Sequence, residues 1–402
     1  MKIMQKIWKG VCLSLLLSLL LIAGTVGLAD FFIPDTLSIF DDETPSIGGW
    51  GTLTVEESVP CGTHATSTRA TARLFGILPI KKVEVKSFEH LSLCPGGDVF
   101  GIRVSLGGAM VTSFTRISTD GNERSPAEEA GLLCGDLITA VDGVRINEAT
   151  ELSRAISASE GRRLTLSVLR NGRSLTLSLL PAFSDAAGAY RAGILVKDSA
   201  SGIGTVTFID PETGAFGGLG HGIYDGESGV LIPIQRGAVT DVTLSGVIPG
   251  VSGDPGELRG HLGNEKRGTL LSNTDCGVFG VMSSTDGLGE PIPIGLSSSV
   301  HVGKAEVLCT LEDGVCRRYA IEITGIRDER SATKSFTVRV TDPHLLEATG
   351  GIVQGMSGSP IIQDGHLIGA VTHVMVNDPT AGYGIFIENM LSAAEGVIPK
   401  AA

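Results

Sequence analysis

The chain has 402 residues, of which 42% are hydrophobic and 55 are glycine, well above the usual glycine share of about 7%. Its formal net charge is −13, and no basic stripe offsets it, which excludes an electrostatic footprint for nucleic acid. This composition predicts a turn-rich, β-rich globular protein with room for two or three domains.

The N-terminus predicts a membrane-directed segment. A basic cytoplasmic n-region, residues 1–9, carries three lysines and precedes an uncharged stretch, residues 10–29. As a helix, this stretch would extend about 30 Å, the thickness of a hydrocarbon core. Its length favours a retained single-pass anchor, although Gly27-Leu28-Ala29 also fits a signal-peptide cleavage site. Either outcome exports the rest of the chain, as a single-pass membrane protein or a secreted one.

Residues 30–97 are predicted to be a linker with short strands. Pro, Gly, Ser and Thr are frequent up to about Thr71, and short apolar runs follow at 74–80 and 83–85. No catalytic constellation occurs in this region.

Residues 98–182 have the pattern of a small α/β domain. We predict a strand at 100–104, a short helix starting at Ser125-Pro126, a longer helix at 148–159 and a hairpin turn at Asn171-Gly172. The run S-P-A-x-x-A-G-L-x-x-G-D-x-I-x-x-V-D-G, residues 125–143, resembles a PDZ domain of the bacterial protease-associated kind.

The PDZ resemblance implies a groove in which an extended peptide adds to the sheet edge. Gly101 and Ile102 fall where backbone N–H groups would hold the peptide carboxylate. The alternative is a domain that only docks on its neighbour.

Residues 190–395 contain short apolar or alternating runs separated by Gly, Asp and Asn, which predicts a β-barrel or a pair of barrels. His221 lies in a glycine-rich turn, where packing gives no reason for an imidazole. Ser357 lies between Met356 and Gly358, on a turn where its own N–H and that of Gly355 would converge on an oxyanion. The alternative for Ser357 is a glycine-rich turn feeding a buried strand.

Serine–histidine catalysis needs a third group that orients the imidazole, usually a carboxylate. Spacing does not choose among the four candidates, which are Asp225, Asp254, Asp275 and Asp342. His261 and His373 are fallback bases to His221.

Cysteines and histidines give little sign of a metal. No C-x-x-C pair occurs, and the eight histidines lack the spacing of metal ligands, so we predict no metal or cofactor. Cys309 and Cys316 flank a turn-like segment and would form a disulfide in one hairpin register, with buried free thiols as the alternative.

Residues 190–395 resemble the stage IV sporulation protein B (SpoIVB) family of serine endopeptidases from endospore-forming bacteria. The order of membrane segment, PDZ-like block and peptidase block is also that family's order. The matching stretches are Gly218–Ile223, Val340–Pro360, Leu367–Val374 and Asn377–Pro379. The resemblance implies a trypsin-like β-barrel in which His221 is the general base, Asp342 the orienting carboxylate and Ser357 the nucleophile. Asp342 precedes Ser357 by 15 residues, whereas chymotrypsin-like double barrels carry the aspartate on the first barrel.

The resemblance also implies a sporulation-signalling protease that acts in the intermembrane space around the forespore. Its substrates would be the chain itself, within residues 30–97, and a membrane-bound regulator of an intramembrane protease, whose cleavage activates a late mother-cell sigma factor. Two alternatives are an inactive membrane-tethered PDZ scaffold and a general envelope quality-control protease. In the latter class the PDZ domain usually follows the protease domain, whereas here it precedes it.

Overall fold

A computed structural model describes residues 8, 13–18, 20–21, 24–28, 33–47, 51–60, 65–119, 121–311, 313–327 and 332–394. The predicted membrane segment, residues 10–29, lies partly outside these ranges. Among the residues described, no helix has both the length and the apolar character needed to cross a membrane.

A four-stranded sheet forms the N-terminal part. Its strands are β1 (Thr36–Phe40), β2 (Gly51–Pro60), β3 (Ala65–Leu74) and β4 (Leu78–Phe88). They lie in the order β1-β4-β3-β2, with β1 parallel to β4 and the other pairs antiparallel. The sequence predicted a linker with short strands at 74–80 and 83–85, which overlap β4, and the Ser, Thr and Ala of β2 and β3 account for the linker prediction. Small residues such as Ala70 and Ala72 are buried on one face of the sheet, and they do not produce a strong alternation of hydrophobic and polar residues in the sequence.

Two strands lead into the PDZ domain, β5 (Ser92–Pro95) and the long β6 (Val99–Phe114). The domain then continues through β7 (Ile117–Thr119), β8 (Asn122–Arg124), α1 (Pro126–Glu129), β9 (Leu137–Val141), β10 (Val144–Arg145), α2 (Ala149–Ala158), β11 (Leu164–Arg170), β12 (Arg173–Leu179), β13 (Ala182–Ser184) and β14 (Ala189–Arg191).

Local sequence signals in this domain are confirmed. Helix α2 begins with a capping box, in which the Glu151 carboxylate accepts from the N–H of Glu148. Asn171 and Gly172 have φ values of 49° and 75° and connect β11 to β12, as in the type I′ turns that such dipeptides favour.

The first barrel follows the PDZ domain in the chain. Its strands are β15 (Ile194–Ile209), β16 (Ala215–Gly218), β17 (Arg236–Ile248), β18 (Glu257–Thr274) and β19 (Gly277–Met282), and the short β20 (Ile292–Pro293) pairs with β5 outside the barrel. The ring is completed by β6, which is hydrogen-bonded to both β17 and β15. Phe100, Phe216, Val239 and Leu270 belong to its core.

The PDZ domain is inserted into this barrel. Strand β6 leaves the barrel to enter the PDZ sheet, where it pairs with β9, and β15 returns from the PDZ domain into the barrel. The segment 99–105, which the sequence analysis assigned to the PDZ domain, therefore pairs with two barrel strands.

The second barrel is closed by six strands in the order β21-β22-β23-β26-β25-β24. Its elements are β21 (Gly303–Thr310), β22 (Cys316–Ile326), β23 (Phe336–Val340), α3 (Pro343–Thr349), β24 (Pro360–Gln363), β25 (His366–Met375), β26 (Asp378–Phe386) and α4 (Ile387–Ala394). Its core includes Val307, Ile321, Phe336, Val338 and Ile361.

The predicted fold class is confirmed in its architecture: the chain is mainly β, with a small α/β domain and β-barrels. The alternative of free thiols holds for Cys309 and Cys316. The β21–β22 register sets Cys309 opposite Arg317 and Cys316 opposite Thr310, one position out of step for a disulfide across the hairpin.

Candidate active site

A pocket of about 520 Å³ lies between the two barrels. His221 lines it from the first barrel, and Gly355, Ser357 and His373 line it from the second. The structure therefore brings together the predicted base, the predicted nucleophile and the predicted oxyanion-binding glycine.

His221 follows the end of β16 through two residues in the left-handed conformation, Leu219 and Gly220, with φ values of 66° and 67°. A Cβ at Gly220 would lie 2.9 Å from the side chain of Thr372, so glycine allows this turn to approach β25 closely. The turn that carries His221 therefore packs closely against β25, the strand that carries His373.

The His221 ring is held by its own chain. Its Nδ1 lies 2.8 Å from the carbonyl oxygen of Gly222, which can only accept, so the proton is on Nδ1 and the Nε2 lone pair is free. Burial lowers the pKa of His221, and the Gly222 carbonyl partly opposes this shift. A neutral imidazole with a free Nε2 is the form that accepts a proton from a serine.

Ser357 lies on a turn between two glycines of positive φ, Gly355 at 99° and Gly358 at 96°. A Cβ at Gly358 would overlap the carbonyl of Thr205, so a side chain there would separate the barrels. The Ser357 hydroxyl donates a 2.8 Å hydrogen bond to the carbonyl of Thr372.

Two backbone N–H groups beside Ser357 are free. The N–H groups of Met356 and Gly358 donate to the carbonyls of Val353 and Val371. Those of Gly355 and Ser357 donate no hydrogen bond within the part of the chain that the structure describes. An oxyanion hole requires such unpaired donors at the nucleophile, and here they are the N–H of Ser357 itself and that of Gly355, two residues before it.

Strand β15 fixes this turn from the first barrel. Thr205 donates its N–H to the Ser357 carbonyl at 3.0 Å and its hydroxyl to the Gly355 carbonyl at 2.8 Å. The Thr207 hydroxyl donates to the Gly358 carbonyl, also at 2.8 Å. Both threonines are buried. Sequence reasoning did not identify these two residues, because a threonine in a strand carries no sign of what it bonds.

Asp342 does not line the pocket. It is the N-cap of α3, where its carboxylate accepts from the N–H groups of His344, Leu345 and Ala320. Burial acts to raise the pKa of Asp342, but the three backbone donors outweigh it and hold the pKa below its usual value. The expected role of Asp342 beside His221 stays a prediction.

The other three candidate carboxylates also have local partners. Asp225 is buried and pairs with Lys197 of β15 at 2.6 Å. Asp254 accepts from the N–H of Gly256 in a turn. Asp275 accepts a 2.6 Å hydrogen bond from the hydroxyl of Tyr224, which lines the pocket, and this bond raises the pKa of Tyr224 to about 12.

The two alternative bases, His261 and His373, lie in different places. His261 is exposed on β18, whereas the His373 ring lies 5.0 Å from that of His221, centroid to centroid. Burial, with the positive charges of His221 and Lys334, lowers the pKa of His373 to about 4. Its Nδ1 is buried without a hydrogen-bond partner in the structure. A second neutral imidazole therefore borders the pocket.

Gly101 and Ile102 lie in the middle of a sheet. They pair with Ile203 and Gly202 of β15 on one side and with β17 on the other, so no free strand edge is available to a peptide at these residues. This corrects the predicted position of the peptide edge. A separate cleft of about 370 Å³ lies beside α2 in the PDZ domain, and Ile156 is among its lining residues.

A metal site is not apparent at the pocket. One group in the described ranges has the ligand types and closeness that a metal needs, and it consists of the exposed Asp41, Asp42 and His90. None of these residues lines the pocket.

Comparisons with known proteins give two family matches. The profile of the SpoIVB peptidase S55 family matches residues 188–391, half of the chain, and a PDZ profile matches residues 117–170. The first match begins after β6, so it does not include the barrel strand that precedes the PDZ domain.

Three further similarities are more limited. Zinc metalloprotease RasP of Shouchella clausii is 33% identical over 106 residues, 26% of this chain and 24% of that protein. The chain spans about a quarter of the length of the curated relatives it matches. The PDZ domain of an SdrC-like protein from Listeria monocytogenes is 22% identical, covering 23% of this chain and 90% of that one, with a TM-score of 0.19. The active form of the Rv3671c protease from M. tuberculosis is 16% identical, covering 50% and 77%, with a TM-score of 0.30.

Proposed function

Since the chain belongs to the SpoIVB peptidase S55 family and is a serine endopeptidase, we propose that it is a membrane-anchored signalling protease of sporulation. Its substrates are its own N-terminal region and a membrane-bound regulator of an intramembrane protease, which it cleaves in the forespore intermembrane space to activate a late mother-cell sigma factor. The family membership supports this proposal, and the PDZ domain supports the binding of peptides.

The observation that carries the catalytic part of the proposal is the turn at Ser357. A serine hydroxyl, two free N–H groups and a neutral histidine border one pocket. In the reaction, the Ser357 hydroxyl leaves the Thr372 carbonyl, gives its proton to Nε2 of His221 and attacks the substrate carbonyl. The N–H groups of Gly355 and Ser357 then stabilise the oxyanion.

His221 returns the proton to the leaving amine, and the acyl group remains on Ser357. A water molecule then attacks the ester, with His221 again accepting the proton, and the second product leaves. By the family resemblance, Asp342 orients His221 and stabilises the imidazolium.

The three proposed triad residues all bond to backbone groups instead of to one another. Ser357 donates to the Thr372 carbonyl, His221 to the Gly222 carbonyl, and Asp342 accepts from three N–H groups. We interpret this as a resting arrangement, since catalytic hydrogen bonds often form only when substrate is bound.

The test is labelling of the full-length protein with a fluorophosphonate probe, which reacts with an activated serine. We expect the wild type to label and the Ser357→Ala and His221→Ala variants not to label. Ser359→Ala is the matched control, because it removes a buried hydroxyl two residues away that makes no hydrogen bond. A folded wild type that never labels, even with a PDZ ligand added, would favour the inactive scaffold.

Substrate selectivity separates signalling from quality control. Cleavage limited to the protein's own N-terminal region and one membrane protein supports the signalling role. Efficient cleavage of unfolded casein contradicts it.

A further inference from the structure

The turn between β3 and β4 exposes large apolar side chains. Phe75 is 72% exposed, Ile77 81% and Leu78 38%. We call residues 75–78 the β3–β4 tip. Single exposed apolar residues are common, but three together at the end of a hairpin form a compact apolar projection.

Phe75 has an unfavourable backbone conformation in the β3–β4 tip. Phe75 and Gly76 have φ values of 51° and 72°, and the Ile77 N–H donates to the Leu74 carbonyl, which closes a turn of the I′ kind. That turn prefers Asn or Gly at its first central position, and a bulky aromatic residue there is strained. Because Phe75 is largely exposed, packing within the protein does not compensate for the strain. A contact outside the protein would do so.

The chain enters the sheet at the same end as the β3–β4 tip. Strand β1 is parallel to β4, with Thr36 opposite Glu84, so the residues before β1 lie toward the tip. Lys81 confirms this direction, since its ammonium group donates to the Ile33 carbonyl at 2.8 Å and pairs with Asp35. Lys81 is three residues from Leu78, about 10 Å along a strand.

The proposed membrane segment ends close to this point. Residues 10–29 are followed by only three residues before Ile33, which limits the gap to about 14 Å. All charged residues between 71 and 83 are basic: Arg73, Lys81 and Lys82. Lys81 is paired with Asp35, so the exposed Lys82 is the basic residue that, beside the apolar tip, matches the interface of a bilayer containing anionic lipid.

We propose that the β3–β4 tip inserts into the lipid interface of the bilayer that holds the N-terminal segment. Phe75, Ile77 and Leu78 lie among the acyl chains, and Lys82 lies at the anionic headgroups. This inference rests on the membrane attachment given in the proposed function. A second attachment point would fix the orientation of the sheet, and of the barrels packed against it, relative to the membrane.

The test uses the full-length protein in vesicles of phosphatidylethanolamine and phosphatidylglycerol, some with brominated acyl chains that quench tryptophan on contact. Trp8→Phe and Trp50→Phe remove the two native tryptophans, and Ile77→Trp introduces one at the tip. Val144→Trp in the same background is the matched control, since Val144 is also exposed (68%) but lies in the PDZ domain. We expect brominated lipid to quench the tip fluorescence more than twofold and the control by less than a fifth.

Other outcomes are distinguishable. A tip tryptophan that is quenched no more than the control overturns the proposal, and leaves a protein partner as the occupant of the tip. Release of the protein from vesicles by alkaline carbonate overturns the membrane attachment as well. Fluorophosphonate labelling of the same samples reports the peptidase separately, so labelled but unquenched protein contradicts the tip alone.

Discussion

The Thr205 hydroxyl donates a 2.8 Å hydrogen bond to the Gly355 carbonyl. This bond joins β15 of the first barrel to the turn of the second barrel that carries Ser357. Because the N–H groups of Gly355 and Ser357 form the proposed oxyanion hole, its geometry depends on a contact between barrels. The same strand supplies Ile194 and Val196 to the cleft beside α2.

Replacing Thr205 with valine tests this contact. Thr205→Val keeps the side-chain shape but leaves the Gly355 carbonyl without its side-chain donor, so we expect kcat to fall about tenfold with little change in KM. The free energy of unfolding should fall by about 1–2 kcal/mol. Thr112→Val is the control, because it removes a similar buried hydroxyl bond to Leu195 and should lower stability without lowering kcat. Equal kcat losses in both variants would contradict a positioning role.

Asp342→Asn separates capping from catalysis. Asparagine caps helices about as well as aspartate, and its Oδ1 can still accept from His344 and Leu345, but its NH2 cannot accept from Ala320, so the free energy of unfolding should fall by about 1 kcal/mol. A triad carboxylate, in contrast, is needed as an anion, so we expect kcat to fall by about 10³-fold or more. Kinetics together with urea denaturation measure both effects. Near-normal kcat would limit Asp342 to the cap of α3 and leave the Gly222 carbonyl to orient His221.

We expect the acidic midpoint of the pH–activity profile to lie at a lower pH than the pKa of an ordinary histidine. Catalysis requires neutral His221, and burial lowers the pKa of His221 below 6.5. Activity should therefore rise with pH through a midpoint below 6.5 in the profile of kcat/KM, which reports groups of the free enzyme. A midpoint above 6.5 would show that a carboxylate already contacts the imidazole before substrate binds.

His373 should make the protein less stable in acid. The unfolded chain binds a proton on this residue near pH 6.5, whereas the folded protein binds it only near pH 4. The free energy of unfolding must therefore fall as pH drops from 6.5 to about 4, by about 1–2 kcal/mol after allowance for partial exposure. His373→Asn should reduce this dependence in urea titrations at several pH values. The exposed His261→Asn control should not, and equal slopes for both variants would contradict the assignment.

Breaking the Lys197–Asp225 pair should destabilise the loop after His221. The Asp225 side chain is fully buried, and although burial opposes it, hydrogen bonds from Lys197 and Ser228 lower the pKa of Asp225 to about 2. Lys197→Met leaves the carboxylate buried without its cation, so we expect a loss of about 2 kcal/mol, moderated because Lys197 is half exposed. Thermal unfolding measures it. Arg259→Met, which breaks an exposed pair with Glu257, should cost much less.

Sequence patterns predicted the local elements well. Asn171-Gly172 gave the hairpin and Ser125-Pro126 the start of α1, because such signals act within a few residues. In the N-terminal sheet, the predicted short strands at 74–80 and 83–85 overlap β4, whereas β1 and β2 lay in the part read as a linker. The path of β6 was also missed, since a single strand that serves two domains has the same alternation as one that serves a single domain.

The sequence predicted which residues form the candidate site better than it predicted how those residues are held in place. Ser357, Gly355 and His221 carry recognisable glycine contexts, and the structure gathers them around one pocket. Thr205 acts through hydrogen bonds to residues about 150 positions away, which no local pattern encodes. Asp342 was chosen by resemblance alone, and its place at a helix cap follows from the generic preference of aspartate for that position.

The insertion of the PDZ domain bears on how the first barrel folds. Phe114 and Ile194 are paired neighbours on β6 and β15, although residues 115–193 separate them in the chain. Closing a flexible loop of roughly 80 residues costs about 4 kcal/mol in chain entropy. A PDZ domain that folds first would bring these ends together and remove most of that cost, so we expect the PDZ domain to fold before the barrel closes. A short hairpin turn in its place would leave the same two strands paired.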